Sequence, residues 1–279
     1  MWQGMQHHVA ASTLWVWEEA NGIDDLKGSI YYRPGNTHGA GLAMIRGNQF
    51  ADELAALNQN KAKVALLYSY PSIYWQPDHP STVTDIYTAL SLRGQPVTFI
   101  SEKQLATGQR SIANDQVQLL ILPHATHMTD AAFEGLKQFI ADGGKVLAIG
   151  SNCAAFDDYG QPRATQPQWL ALSPANATQE IAGQLEVILN QYKLAQPVLV
   201  NVKTRQAAWG VEYRVIRQSD HYLISMTNFN NSDMELDLTL SQASSRTGVD
   251  LLQEKKVLMQ RIDLKPAQSR LIRLPLQAQ

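Results

Sequence analysis

"VQLLILPHATHMTDAAFEGLKQFIADGGKVLAIG", residues 117–150, decides the fold. An unbroken apolar run, VQLLILP, opens it, as expected of a strand covered on both faces. Thr129 then stands where a helix N-cap belongs, and Phe133, Leu136 and Ile140 recur at helical spacing. Gly143 or Gly144 ends that helix, and KVLAIG is a second buried strand. Strand, helix and strand in this order predict a parallel pair joined by a crossover.

The same alternation extends outward on both sides. KVALLYSY (63–70) reads as a strand, and PVTFIS (96–101) as another. Between them Val83, Ile86, Tyr87 and Leu90 mark a helix that Pro80 opens and Gly94 closes. Asn176 is placed to cap a last helix carrying Ile181, Leu185, Ile188, Leu189 and Tyr192. Residues 48–195 therefore predict an α/β unit with a doubly wound, flavodoxin-like parallel sheet.

Beyond Gln196-Pro197 the period changes. VLVNV, VEYRVIR, YLISMTNF, MELDLTL, VLMQRIDL and RLIRLPL are short runs, several of them alternating, with turn residues between. Residues 196–279 predict a small antiparallel β-sandwich. Residues 1–47 differ from both. MWQGMQHHVAAS reads as the end of a helix, TLWVWEE as a strand, and 20–41 as a long loop rich in Gly, Asn and Asp. One helix and one strand bury no core alone, so this region reads as the tail of a larger domain.

Bulk properties narrow the function. The chain has 279 residues, 44% hydrophobic and 17% charged, the composition of a globular protein. A net charge of −2 gives no electrostatic case for nucleic acid or an anionic membrane. No apolar run reaches the ~20 residues of a membrane span. One cysteine excludes an internal disulfide and fits a cytoplasmic setting. P-loop, G-x-G-x-x-G, G-x-S-x-G and H-E-x-x-H motifs are missing from the sequence, and no metal or cofactor is expected.

Four groups of residues carry possible chemistry. Cys153 lies just past a strand, where α/β enzymes place nucleophiles, with His124 and His127 as conceivable bases. It falls three residues beyond the strand end, so an unreactive, partly buried thiol is the plainer reading. His124 and His127 form an H-x-x-H pair at a strand's C-terminal end, but two ligands do not make a metal site. His7 and His8 are adjacent on a helix and diverge by about 100°, too far to chelate together. His38 and His79 read as polar-loop residues. Trp15 and Trp17, two apart on a strand, face the same way, as a sugar-stacking platform or as core, with Glu18 and Glu19 following at once.

The whole order, from TLWVWE and RPGNTHGAG through VALLYSYPS and the 117–150 unit to VLMQRIDLKPAQSRLIRL, resembles the C-terminal part of family-42-type β-galactosidases and related retaining glycosidases. That resemblance covers nearly the whole chain. It implies the end of a (β/α)8 barrel over 1–47, a trimerisation domain like a class I glutamine amidotransferase over 48–195, and the closing β-sandwich over 196–279. It places Trp17, and with it Trp15, where the barrel's eighth strand meets the sugar. The family's acid/base and nucleophile glutamates belong to the fourth and seventh barrel strands, to which nothing here corresponds. The amidotransferase nucleophile would fall on Gly150, not Cys153. The implied protein is a non-catalytic portion of a glycoside hydrolase. It would act in a homo-oligomer on a β-galactoside or other carbohydrate. A Cys153-dependent amidotransferase-like hydrolase and a carbohydrate-binding module are the alternatives.

Overall fold

A computed structural model describes residues 2–7, 9, 34–107, 117–173 and 177–277. Among the described residues three helices come first: α1 (Trp2–Gln6), α2 (Pro34–Gln49) and α3 (Ala51–Gln59). The α/β layer follows as β1 (Val64–Tyr68), α4 (Tyr70–Trp75), α5 (Asp78–Ser91), β2 (Val97–Ser101) and α6 (Glu102–Thr107). It continues with β3 (Leu119–Pro123), α7 (Asp130–Ala141), β4 (Lys145–Ile149), β5 (Leu170–Leu172) and α8 (Thr178–Gln191). All pairs in this sheet are parallel, in the order β2-β1-β3-β4-β5. That is the flavodoxin-like order expected of the sequence.

The strands are apolar throughout because both faces are covered. Ala65, Leu67, Leu120, Leu122, Val146 and Ala148 point to one side, against Phe133, Leu136 and Phe139 of α7. Val64, Leu66, Leu119, Ile121, Leu147 and Ile149 point to the other, against Ile86 and Leu90 of α5 and Ile181, Leu185, Ile188 and Leu189 of α8. Thr129 caps α7, its side chain accepting the Ala132 N–H, and Gly143 past the helix end has φ +93°. The N-cap of α8 falls on Ala177, whose side chain has nothing to cap with; Asn176 lies outside the described residues.

Gly135 sets the spacing of α6 and α7. A Cβ at that position would overlap the Leu105 carbonyl oxygen. Gly135→Ala is expected to lower stability by about 1–3 kcal/mol, the usual cost of overpacking. The readout is a lower urea midpoint at unchanged slope; an unshifted midpoint would refute the close helix approach.

The sandwich consists of β6 (Leu199–Asn201), β7 (Val211–Arg217), β8 (His221–Asn228), β9 (Met234–Leu238), β10 (Thr247–Asp250), β11 (Lys255–Leu258), β12 (Ile262–Leu264) and β13 (Ser269–Pro275). Two antiparallel sheets, β11-β10-β13-β8-β7 and β12-β9-β6, enclose a core that includes Val211, Tyr213, Ile224, Met226, Leu236, Ile262 and Ile272. The run VLMQRIDL is not one strand, as its pattern suggested. It divides into β11 and β12, which join different sheets.

A second departure concerns residues 20–41, expected to form one long loop. From Pro34 onward the chain is helical, despite glycines at 35, 39, 41 and 47. Pro34 at the first helical position is the signal that would have found it. Helices α1 and α3 pack on the outer face of the larger sandwich sheet, where Trp2, Phe50 and Leu57 meet Ile216, Leu223 and Leu271. Polar contacts pin α1 there as well: the His7 ring meets Glu212 and lies 2.8 Å from the Tyr87 hydroxyl, and Arg214 donates to the Gln6 carbonyl at 2.6 Å. His7 thus has partners of its own; His8 lies outside the described residues.

The α/β layer and the sandwich meet at Tyr213. Its hydroxyl stands 3.0 Å from the Arg93 carbonyl and 2.9 Å from that of Pro197, and it accepts the Leu199 N–H at 3.3 Å. Gly94, with φ +69°, lies under the ring, where a Cβ would come within 2.5 Å of it. Arg93 also donates to the Ala208 carbonyl and pairs with Glu186. Among the described residues, no helix is long and apolar enough to cross a membrane.

Candidate functional site

In open α/β sheets ligands gather beyond the C-terminal ends of the strands. Here that end is built from the residues after β1, β2, β3 and β4. Ser69 follows β1 and is fully buried, as are Ser72 and His79. The Ser69 N–H donates to His79 Nε2 at 3.2 Å, and His79 Nδ1 donates to the Pro123 carbonyl at 2.6 Å. The first partner only donates and the second only accepts, so the His79 tautomer is fixed with its proton on Nδ1. Burial lowers the His79 pKa, and the neighbouring His124 lowers it further, against the opposing Pro123 hydrogen bond.

Glu102, at the start of α6, closes the network. One carboxylate oxygen accepts from Ser69 Oγ, and the other accepts the Thr129 N–H at 2.9 Å. The Ser72 and His127 main-chain and hydroxyl groups complete it: Ser72 Oγ donates to the His127 carbonyl at 2.7 Å and accepts the His127 N–H at 3.0 Å. Serine, histidine and glutamate therefore meet, but not as a catalytic triad. The hydroxyl bonds to the carboxylate rather than the imidazole, and the Nε2 lone pair that would act as base is occupied by a backbone N–H. The cluster ties the segments after β1, β2 and β3 to the first turn of α5. Sequence reading placed His79 in a polar loop; it is instead a buried bridge on the first turn of α5.

The turn after β4 corrects the nucleophile reading. Gly150 directly follows the strand with φ +102°, and a Cβ there would stand 2.7 Å from the His124 ring. His124 itself has φ +48°, with Asn152 and Ala154 also left-handed. Cys153 is only 3% exposed and points inward. Its Sγ lies 3.5 Å from the Leu122 carbonyl and 3.7 Å from those of Ile149 and Gly150. Burial pushes the thiol up to about 11, although nearby backbone groups act in the other direction. A group so placed is a core thiol among carbonyl oxygens, which repel a thiolate. No imidazole hydrogen-bonds to it among the described residues, so neither His124 nor His127 serves as its base. Native protein at pH 8 is expected to leave Cys153 unlabelled by a maleimide until denaturant is added. Stoichiometric labelling without denaturant would contradict this burial.

His124 and His127 do not converge on a metal either. His124 lies 3.3 Å from the Gln76 amide nitrogen. The His127 ring is sandwiched between Trp75, with centroids 5.1 Å apart and planes 10° from parallel, and Phe156, at 4.9 Å and 19°. Burial lowers its pKa, with Asp157 opposing. Among the described residues no three His, Cys, Asp or Glu side chains group to hold a metal ion. This ring stack cannot be read from the sequence, since Trp75 ends α4 while His127 and Phe156 lie in two separate loops. Trp15 and Trp17, expected to bind sugar, lie outside the described residues, as do Glu18 and Glu19.

No protein-family model and no curated protein matches the chain. Solved structures do. An apo exo-carrageenase of family GH42 from Bacteroides ovatus matches with a TM-score of 0.79 at 18% identity, over 99% of this chain and 38% of that one. A catalytic mutant of a GH42 β-galactosidase from G. stearothermophilus matches with 0.68 at 12% identity, over 98% and 49%. The β-galactosidase from Rahnella sp. R3 gives 0.57 at 12%, over 84% and 44%. The chain has the fold of the C-terminal region of GH42 β-galactosidases, and it spans less than half the length of these structures.

Proposed function

We propose that these 279 residues form the assembly and site-closing part of a glycoside-hydrolase-like protein, one that acts on a β-galactoside or another carbohydrate as a homo-oligomer, and that they supply no catalytic group. One observation carries the reading. The fold match spans essentially all of this chain but only 38% and 49% of two GH42 structures. The strand ends add support, because the position after β4 is a glycine and the nearby thiol is buried. The amidotransferase-like layer in this reading is a scaffold rather than a second active site.

The test is light scattering on the purified chain, combined with an assay on nitrophenyl β-galactoside. The expected result is a mass that is a multiple of 31.0 kDa, with no turnover. A strictly monomeric chain would remove the assembly role. Turnover that disappears on replacing one of its own carboxylates would remove the non-catalytic one.

A further inference from the structure

Where the end of α1, the end of α3, β2 and β7 meet, a cleft of about 520 Å3 opens, a volume in the range of small-molecule sites. His7, Tyr87 and Arg214 line it, and their hydrogen bonds do not balance. His7 Nε2 meets Glu212, while Nδ1 is approached by two donors, the Tyr87 hydroxyl at 2.8 Å and Arg214 Nη2 at 2.9 Å. Nδ1 offers one lone pair when bare and none when protonated, so in neither state does it satisfy both. Arg214 gives one more N–H to the Gln6 carbonyl at 2.6 Å. Its other N–H groups meet no acceptor among the described residues.

Water satisfies such donors, but the charge around the cleft selects an anion over water. Arg214 and Lys61 line it, and no aspartate or glutamate does among the described residues. Glu212, two residues from Arg214 on β7, turns its two oxygens to Gln3 and His7. Burial lowers the Arg214 pKa, with Glu212 and Tyr87 opposing, so the guanidinium is a desolvated cation only partly offset. Val97 and Phe99 of β2 line the same cleft, and Phe99 is 42% exposed. A guanidinium fork and a lysine suit the oxygens of a carboxylate or phosphate, and the apolar residues suit a carbon body attached to it.

We propose that this cleft binds a small organic oxyanion, a carboxylate or a phosphate ester, with Arg214 and Lys61 as its counter-charges. The site needs neither the oligomeric nor the non-catalytic reading above. It is tested by NMR on the full 15N-labelled chain, with ionic strength held constant by sodium chloride. Galacturonate, glucose 6-phosphate and, as the neutral control, galactose are titrated to about 0.1 M, well above a millimolar dissociation constant. At least one of the two anions is expected to move the Lys61, Ala62, Thr98 and Phe99 amide signals saturably, and galactose to leave them. Which anion binds separates carboxylate from phosphate ester. Arg214→Gln should weaken binding about tenfold or more. Arg214 also holds α1, so Lys61→Gln, at an exposed residue, provides a second reading, with binding weakened about two- to fivefold. If neither anion moves these signals, or galactose moves them equally, the cleft holds water alone and the proposal falls. Unchanged affinity in Lys61→Gln and in a folded Arg214→Gln would overturn it as well.

Discussion

Tyr213→Ala is expected to destabilise the protein by about 3–5 kcal/mol, the range for removing a buried aromatic ring. Two effects add. The ring fills the space over Gly94, where the α/β layer comes against the sandwich, and truncation opens a cavity that neither layer can collapse into. The hydroxyl also links the Arg93 and Pro197 carbonyls with the Leu199 N–H, so its loss leaves buried backbone groups unpaired. Tyr213→Phe separates the two, keeping the ring and costing about 1–3 kcal/mol. Burial pushes the Tyr213 hydroxyl up to about 12. A raised folded pKa means stability that is whole below about pH 10 and falls as pH rises toward 12. Urea unfolding of both variants, at neutral and alkaline pH, checks this. If Tyr213→Ala unfolds within 1 kcal/mol of the native chain, Tyr213 is not what joins the layers.

His79→Ala should be nearly as damaging. It deprives the Ser69 N–H and the Pro123 carbonyl of their shared partner in a site with no exposure. At about 1–3 kcal/mol for each buried group left unpaired, the loss is about 2–6 kcal/mol. His79→Gln, with an amide oxygen for one partner and an amide nitrogen for the other, should recover part of it. The pH dependence separates the imidazole from its shape. The folded pKa lies below the unfolded value of 6.5, so the unfolded chain takes up the proton first. Stability is whole above about pH 6.5 and is lost as pH falls toward the folded pKa. His79→Gln should flatten that acid slope, while His127, also lowered, retains a share of it. An identical slope in the variant would show that His79 does not titrate between the two states.

The elements that the sequence reveals are those whose signal is local. Buried parallel strands are continuous apolar runs, so β1, β3 and β4 stand out, and Thr129 with its helical stripe marks α7. Helix α2 is hidden by its glycines, since it follows no apolar stripe: Leu42, Met44 and Ile45 are all exposed. The strand-end network cannot be seen from spacing. Ser69, His79, Glu102 and Thr129 are far apart in the chain, and several of the bonds between them end on main-chain atoms with no residue identity. Cys153 is the opposite case. Its distance from the strand end already favours an unreactive thiol, and the direction of its Sγ, toward three carbonyl oxygens, agrees with that reading. The stack on Trp75, by contrast, depends on which segments the sheet brings together.

The strand order of the larger sandwich sheet fixes when that sheet is completed. β13, the last of the described strands, lies in the middle, hydrogen-bonded to β8 on one side and β10 on the other. The β7–β8 and β10–β11 hairpins are each made of neighbouring segments and form early. They share no hydrogen bonds with each other, so they wait as two separate pieces until residues 269–275 arrive to join them. Such distant pairing is slow to close. A ribosome halted before residue 269 would therefore carry a finished α/β layer and an unassembled sandwich, with apolar Ile224 and Met226 still uncovered.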